Sequence, residues 1–226
     1  AVERFAAECP ANLIGTSNPW LAAKYGIAAS GTNAHELGMT YAALEEARGG
    51  NPIDGQAGVI ADWLERFPSM PVVLTDTYTT DATLKLMTAE QTEQVMSYRI
   101  DSGNECEVGE KILHFLLKNG TDPRNRTLFF SNSLTPEKAV ALHHYFEGRI
   151  QTAFGIGGNA VNNMGFDSRH DLPGMNTVSK AVDVNGYGTV KLSDDKGKHM
   201  GTARDIARYK HHVSRLAREQ MVAFAG

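Results

Sequence analysis

Cysteine is scarce in this chain. Cys9 and Cys106 stand alone, with no CxxC pair. Neither a disulfide framework nor a thiolate zinc site is expected, and both read as reduced thiols of a cytoplasmic protein. Long apolar runs are absent too. None approaches the roughly 18 residues that cross a bilayer, so no membrane partner is expected. Nor is there an excess of basic charge: 22 Lys and Arg face 26 Asp and Glu, a formal charge of −4. A nucleic-acid partner, which would require a basic field, is not expected either. The sequence has no G-x-S-x-G elbow and no Ser/His/Asp spacing that points to acyl transfer. Its eight histidines show no metal-ligand spacing. His143-His144 and His211-His212 are adjacent on helical stretches, where neighbouring side chains diverge, and metal ligands stay unknown at this level. Repeats and low-complexity runs are missing as well.

What is present is a regular alternation. The 226 residues suffice for one large domain with a real core, a length at which α/β barrels often form single units. Short apolar runs at residues 11–15, 27–30, 71–74, 95–100, 127–130 and 150–154 read as strands. Stretches at 2–8, 19–25, 34–48, 56–67, 80–87, 105–119 and 136–147 read as helices. Pro19 and Pro136 suit first turns, Thr80 and Thr135 suit N-caps, and Gly26 and Gly120 suit stops. Residues 159–174 read as loop, Asn185-Gly186 as a hairpin turn between 177–184 and 188–192, and 202–224 as a basic helix. Strand and helix alternating in this way predict a parallel sheet with crossover helices. The polar residues just past each strand would then share one edge. Both α/β barrels and doubly wound sheets place ligands there. The chain opens on Ala1, and residues 2–5 already read as mid-helix, so a piece of a longer protein is expected.

Three strand ends carry chemistry. Gly31-Thr32-Asn33-Ala34-His35-Glu36 places an imidazole at a helix start, beside backbone N–H groups that suit an anion. Taken alone, His35 reads better as a polar residue hydrogen-bonded into a loop. Arg99-Ile100-Asp101-Ser102-Gly103 puts Arg99 and Asp101 on the same side of a strand. The pair could take a ligand carboxylate or phosphate, ribose hydroxyls or magnesium, or it could be a structural ion pair. Gly155-Ile156-Gly157-Gly158-Asn159-Ala160 fits G-x-G-x-x-A. It follows five earlier strands instead of opening a domain, which disfavours a dinucleotide fingerprint. A phosphate-cradling turn and a tight corner are the other readings.

Seven segments occur in one order. They are Gly15-Thr16-Ser17-Asn18, the His35 segment, Leu74-Thr75-Asp76-Thr77, the Arg99 segment, Phe130-Ser131-Asn132-Ser133-Leu134, Phe154-Gly155-Ile156-Gly157-Gly158, and Lys191-Leu192-Ser193-Asp194 with Gly197-Lys198. In that order and spacing, over residues 12–198, the chain resembles the nicotinate phosphoribosyltransferase family. The resemblance implies an α/β fold, the irregular (β/α) barrel of type II phosphoribosyltransferases. Residues 1–226 would be that barrel domain without the family's N-terminal part, and 177–226 its C-terminal hairpin and helix. It implies an ATP-coupled enzyme of NAD salvage, which joins nicotinate to 5-phosphoribosyl 1-pyrophosphate and releases nicotinate mononucleotide and pyrophosphate. ATP and Mg2+ would be its cofactors, and the full-length enzyme would be a homodimer. His35 would be transiently phosphorylated, and Arg99 and Asp101 would line the pyridine and ribose site. Thr16, Ser17, Thr32, Asp76, Ser102, Ser131, Asn132, Gly157 and Gly158 would contact substrate, the two glycines at the 5-phosphate.

Two positions depart from the family pattern. Asn104 stands where the family usually has Asp after Ser-Gly, and Asn132 where many relatives carry Asp. The family's upstream part, which supplies an aromatic that stacks on the pyridine, is expected to lie outside this chain. A nicotinamide- or quinolinate-using relative of the same fold, and a non-catalytic phosphosugar-binding remnant, are the alternatives.

Overall fold

A computed structural model describes residues 2–157 and 178–223. The chain forms two compact units, Ala1–Thr32 with Gly157–Asn176, and Asn33–Ile156 with Thr177–Gly226.

The first unit contains α1 (Val2–Glu8) and α2 (Pro19–Tyr25). Local chemistry bounds α2. The Asn18 side chain accepts from the Leu21 N–H at 3.1 Å, Pro19 opens the first turn, and Gly26 ends it at φ 63°. The strands expected at 11–15 and 27–30 do not form. The backbone there makes only a single parallel bridge between Thr16 and Ala29. Ile14 is 69% exposed, so the first of these segments buries too little apolar surface to sustain a ladder.

The second unit begins with α3 (His35–Ala47) and α4 (Asp54–Arg66) and then enters a parallel sheet. Its strands are β1 (Val72–Leu74), β2 (Ser97–Ile100), β3 (Thr127–Phe130) and β4 (Gln151–Phe154), in the spatial order β1-β2-β3-β4. Six expected strands are thus four in this sheet, which among the described residues is open and not closed on itself. The crossovers are α5 (Thr80–Leu86) with α6 (Ala89–Gln94), then α7 (Glu105–Lys118), then α8 (Pro136–Phe146). Val72 lies opposite Ser97, Ser97 opposite Thr127, and Thr127 opposite Gln151. The strands therefore start level, and their carboxyl ends come out along one edge.

Burial alternates along β2 and β3. Tyr98, Ile100, Leu128 and Phe130 are fully buried, and they pack with Val108, Ile112 and Leu116 of α7 and Leu142 and Phe146 of α8. The intervening residues Arg99 and Phe129 are half-buried on the other face. Two sequence expectations shift. Thr79, at φ 105°, caps α5 in place of Thr80, its hydroxyl accepting from the Ala82 N–H. The unforeseen α6 is started by a reciprocal capping box between Thr88 and Gln91.

After residue 178, Asn185 and Gly186 adopt positive φ between β5 (Asp183–Val184) and β6 (Tyr187–Gly188), the backbone of a two-residue hairpin turn. These strands are shorter than expected. The chain beyond them runs beside the segment that follows β1: the Leu192 N–H donates to the Thr77 carbonyl at 2.8 Å. Val190 and Leu192 join Tyr78, Ala42 and Tyr209 of α9 (Ala203–Ala223) in a second core cluster. Among the described residues no helix is long and apolar enough to cross a membrane.

Candidate active site

The level strand ends bring four short segments together. Thr75, Asp76 and Thr77 follow β1, Asp101 and Ser102 follow β2, Ser131 and Asn132 follow β3, and Gly155 follows β4. The start of α3 is tied to the same edge. Asn33, just before it, accepts from the Leu74 N–H at 3.3 Å. Gly38 lets α3 press close, since a Cβ there would lie 3.0 Å from a Thr77 carbon.

His35 is the result of that approach. It is 5% exposed. Nε2 lies 3.1 Å from Asp101 Oδ2 and 3.5 Å from Asp76 Oδ1. Nδ1 lies 3.2 Å from the Thr77 hydroxyl. A carboxylate accepts only, so Nε2 carries the proton shared with Asp101, and in the neutral ring the Nδ1 lone pair faces the Thr77 O–H. A buried imidazole is thereby held in one tautomer and one orientation.

The two acids are held differently. Asp101 Oδ1 accepts from the Ser131 hydroxyl at 2.7 Å and pairs with the Arg99 guanidinium at 3.3 Å. Arg99 Nε in turn donates to Ser131 at 2.9 Å. Burial alone would push the Asp101 carboxyl up. The His35 hydrogen bond, the Arg99 charge and the Ser131 hydroxyl outweigh it and hold the group well below the ordinary carboxylate range. Asp76 is fully buried. Its Oδ2 accepts from Ser102 at 2.5 Å and from Ser193 at 3.3 Å. Its Oδ1 accepts no hydrogen bond among the described residues.

A groove of about 690 Å³, lined by residues that include Leu113, Leu117, Thr121 and Arg149, lies at the opposite, amino-terminal end of the strands. Its charged groups form separate, exposed pairs, Arg149 with Glu110 and Arg124 with Asp122, and not a buried cluster around an imidazole.

The profile of the "Nicotinate phosphoribosyltransferase (NAPRTase) family" matches residues 1–218. The chain belongs to this family. It is 36% identical over 190 residues to the nicotinate phosphoribosyltransferase of Photorhabdus laumondii, covering 82% of this chain and 44% of the relative. Against the enzyme of that name from Shigella boydii the figures are 35% over 186 residues, 82% and 44%. The crystal structure of the nicotinate phosphoribosyltransferase of Porphyromonas gingivalis superposes with a TM-score of 0.80 at 31% identity, over 89% of this chain and 51% of that one. The Vibrio cholerae structure gives 0.85 at 28%, over 96% and 53%. The chain thus spans less than half the length of these curated relatives.

Within this family member, His35, Asp76, Arg99, Asp101, Ser102 and Ser131 come together at one edge of the second unit. Asn132 lies on the same edge, but its amide donates to Glu105 at 3.0 Å and accepts from Lys198 at 2.7 Å. Thr16, Ser17, Thr32 and Gly157 belong to the first unit, and Gly158 lies outside the described residues. At Gly155 the glycine serves packing, because a Cβ would lie 3.0 Å from the Phe129 ring. Asn104 caps α7, its side-chain oxygen accepting from the Cys106 and Glu107 N–H groups at 3.1 Å each. Thr77 and Ser193 were not foreseen. Thr77 was visible as a polar residue past a strand, but nothing local in the sequence pairs Ser193 with Asp76.

His35, Asp76 and Asp101 each offer one ligand atom, all within 4.8 Å of one another, and form a potential divalent-cation site. Magnesium takes oxygen ligands and commonly binds through one or two carboxylates plus substrate phosphates. The buried, unpartnered Asp76 Oδ1 fits that mode. His35 Nε2, engaged with Asp101, does not serve as one of its ligands.

Proposed function

We propose that this chain carries the catalytic edge of a nicotinate phosphoribosyltransferase, which forms nicotinate mononucleotide and pyrophosphate from nicotinate and 5-phosphoribosyl 1-pyrophosphate. The observation that supports this best is His35, buried and oriented by Asp101 and Thr77 at the meeting point of the strand ends.

The glycosyl step needs no protein nucleophile. The pyridine nitrogen of nicotinate donates its electron pair to ribose C1, and the C1–O bond to pyrophosphate breaks with its electrons on the leaving oxygen. The centre between them is oxocarbenium-like, as in glycoside chemistry. The protein's task is to position the partners and stabilise charge. Arg99 suits the nicotinate carboxylate, which a guanidinium binds through two parallel hydrogen bonds. Asp101 keeps its charge, so it can steady the developing cation at C1 as well as His35. Asp76 would hold Mg2+, which when bound neutralises the departing pyrophosphate.

ATP coupling runs through His35. Its Nδ1 lone pair attacks the γ-phosphorus as the Thr77 hydroxyl turns away, the bond to the bridging oxygen breaks, and ADP leaves. The ring keeps its one N–H proton on Nε2, and Asp101 stabilises the positive charge that the new Nδ1–P bond places on the ring. Hydrolysis of the phosphohistidine returns phosphate and the neutral ring. The test uses the full protein that carries this chain and ATP labelled in its γ-phosphate. Acid-labile label is expected on the wild type and none on His35→Asn, together with loss of ATP-stimulated nicotinate mononucleotide formation. Equal labelling of the two proteins would remove His35 from the mechanism.

A further inference from the structure

The Lys191-Leu192-Ser193-Asp194 segment has no role in the reaction as set out above, yet it forms a wall of the site. Its backbone is fixed on two sides. Lys191 exchanges both backbone hydrogen bonds with Met200, at 3.0 and 2.9 Å, and Leu192 donates to Thr77. Val190 and Leu192 point into the second core cluster. Alternation along an extended segment then turns Lys191 the other way, toward Asp76. There it is 6% exposed.

Its ammonium is poorly matched. The Lys191 Nζ lies 4.0 Å from Asp76 Oδ2, an oxygen already taken by Ser102 and Ser193. Among the described residues it makes no hydrogen bond. The two other lysines of this stretch that face the site differ. Lys180 is bound to Glu36 at 2.7 Å, and Lys198 to Asn132 Oδ1 at 2.7 Å and the Asp101 carbonyl at 3.1 Å. An ammonium has three donors, and a long ion pair to one saturated oxygen leaves them available to a ligand that enters the site.

We infer that the Lys191 ammonium binds the phosphate oxygens of a polyphosphate ligand that enters the His35–Asp76–Asp101 cluster. The inference builds on the proposed reaction for the choice of ligand. Two ligands of that reaction share this chemistry: the pyrophosphate end of the sugar donor and the triphosphate of ATP. Asp76 would then hold Lys191 in place before the ligand arrives, and the ligand's oxygens would complete its coordination.

Calorimetric titration of the full protein tests this directly, with inorganic pyrophosphate and a non-hydrolysable ATP analogue as separate probes, each with Mg2+. Lys191→Met is expected to weaken pyrophosphate binding by roughly ten- to a hundredfold, the scale of a lost hydrogen bond to a charged group. Lys191→Arg is expected to keep most of the affinity. Loss with the ATP analogue alone would assign Lys191 to the nucleotide phosphates, and loss with both to a shared subsite. Unchanged affinity for both probes would overturn the inference and leave Lys191 as a counter-ion of Asp76. Thermal melting checks each variant, and Lys191→Gln replaces the Met variant if that one does not fold. Because binding is read without turnover, absence of nicotinate-dependent pyrophosphate release would count against the proposed reaction and leave this test intact.

Discussion

Asp76 and Asp101 face the same imidazole but are held in opposite ways. Asp101, at the end of β2, is interlocked with its neighbours: His35 on one oxygen, Ser131 and Arg99 on the other. Asp76, past β1, is more deeply buried and less satisfied, with two hydroxyls on one oxygen and none on the other. A carboxylate with both oxygens engaged fixes an orientation. A buried carboxylate with an open oxygen and a poorly matched ammonium beside it is a receptor waiting for charge. The difference divides the site into a rigid side that orients His35 and a receptive side where the cation and polyphosphate are proposed to bind.

Breaking the rigid side should have the largest effect. Asp101→Asn cannot accept the Nε2 proton as a charged partner, and the imidazole loses both its fixed tautomer and the stabilisation of its charged form. The labelling rate of His35 is expected to fall by on the order of a thousandfold or more. The same variant has a pH signature. The Asp101 pKa is depressed in the folded state, so its contribution to stability is complete above the unfolded value of about 4 and is lost as pH falls through the folded one. Urea unfolding should therefore show a wild-type advantage over Asp101→Asn at neutral pH that shrinks in strong acid. A constant gap across that range would mean that His35, Arg99 and Ser131 do not hold the Asp101 carboxyl down.

Disturbing the receptive side should act on ligands. Asp76→Asn removes charge where Mg2+ is proposed to sit, and the half-saturating Mg2+ concentration is expected to rise at least roughly tenfold, with a smaller effect on His35 labelling than Asp101→Asn has. If the two variants behaved alike, the division between the sides would be lost. Ser102→Ala tests the support beneath Asp76. It deletes a 2.5 Å bond in a fully buried pair and should cost about 1–3 kcal/mol of stability, read from denaturant midpoints.

The rigid side was partly legible in the sequence, through its local pieces, although His35 and Asp101 meet across 66 residues. Alternation along one strand places Arg99 and Asp101 together, and a glycine-rich lead-in places His35 at a helix start. The receptive side was not, because its partners are far apart in the chain: Ser193 reaches Asp76 across 117 residues, and Asp194 reaches Thr80 across 114. Its last segment was picked out only as part of a family pattern, without a role. The same contrast runs through the fold. The apolar runs at β1 to β4 announced a buried sheet. The runs at 11–15 and 27–30 read as strands too, but they hold no aromatic and one isoleucine each, Ile14 stays exposed and no ladder forms. In α6 the sequence AEQTEQ offers no apolar stripe, and only its cap at Thr88 and Gln91 betrays the helix.

Asn104 should give the smallest effect, and it bears on the same division. It follows Ser102-Gly103, just past the end of β2, at the position where the family resemblance leads to Asp. Its side-chain oxygen is spent on two backbone N–H groups at the start of α7. An aspartate would accept the same two bonds and interact slightly better with the helix dipole. Asn104→Asp should therefore leave turnover and Mg2+ dependence unchanged and raise stability by a few tenths of a kcal/mol, whereas Asn104→Ala should cost about 1 kcal/mol through loss of the cap. A gain in activity with Asn104→Asp would show instead that a carboxylate at this position reaches the ligand. The cation site would then extend beyond Asp76 toward the start of α7.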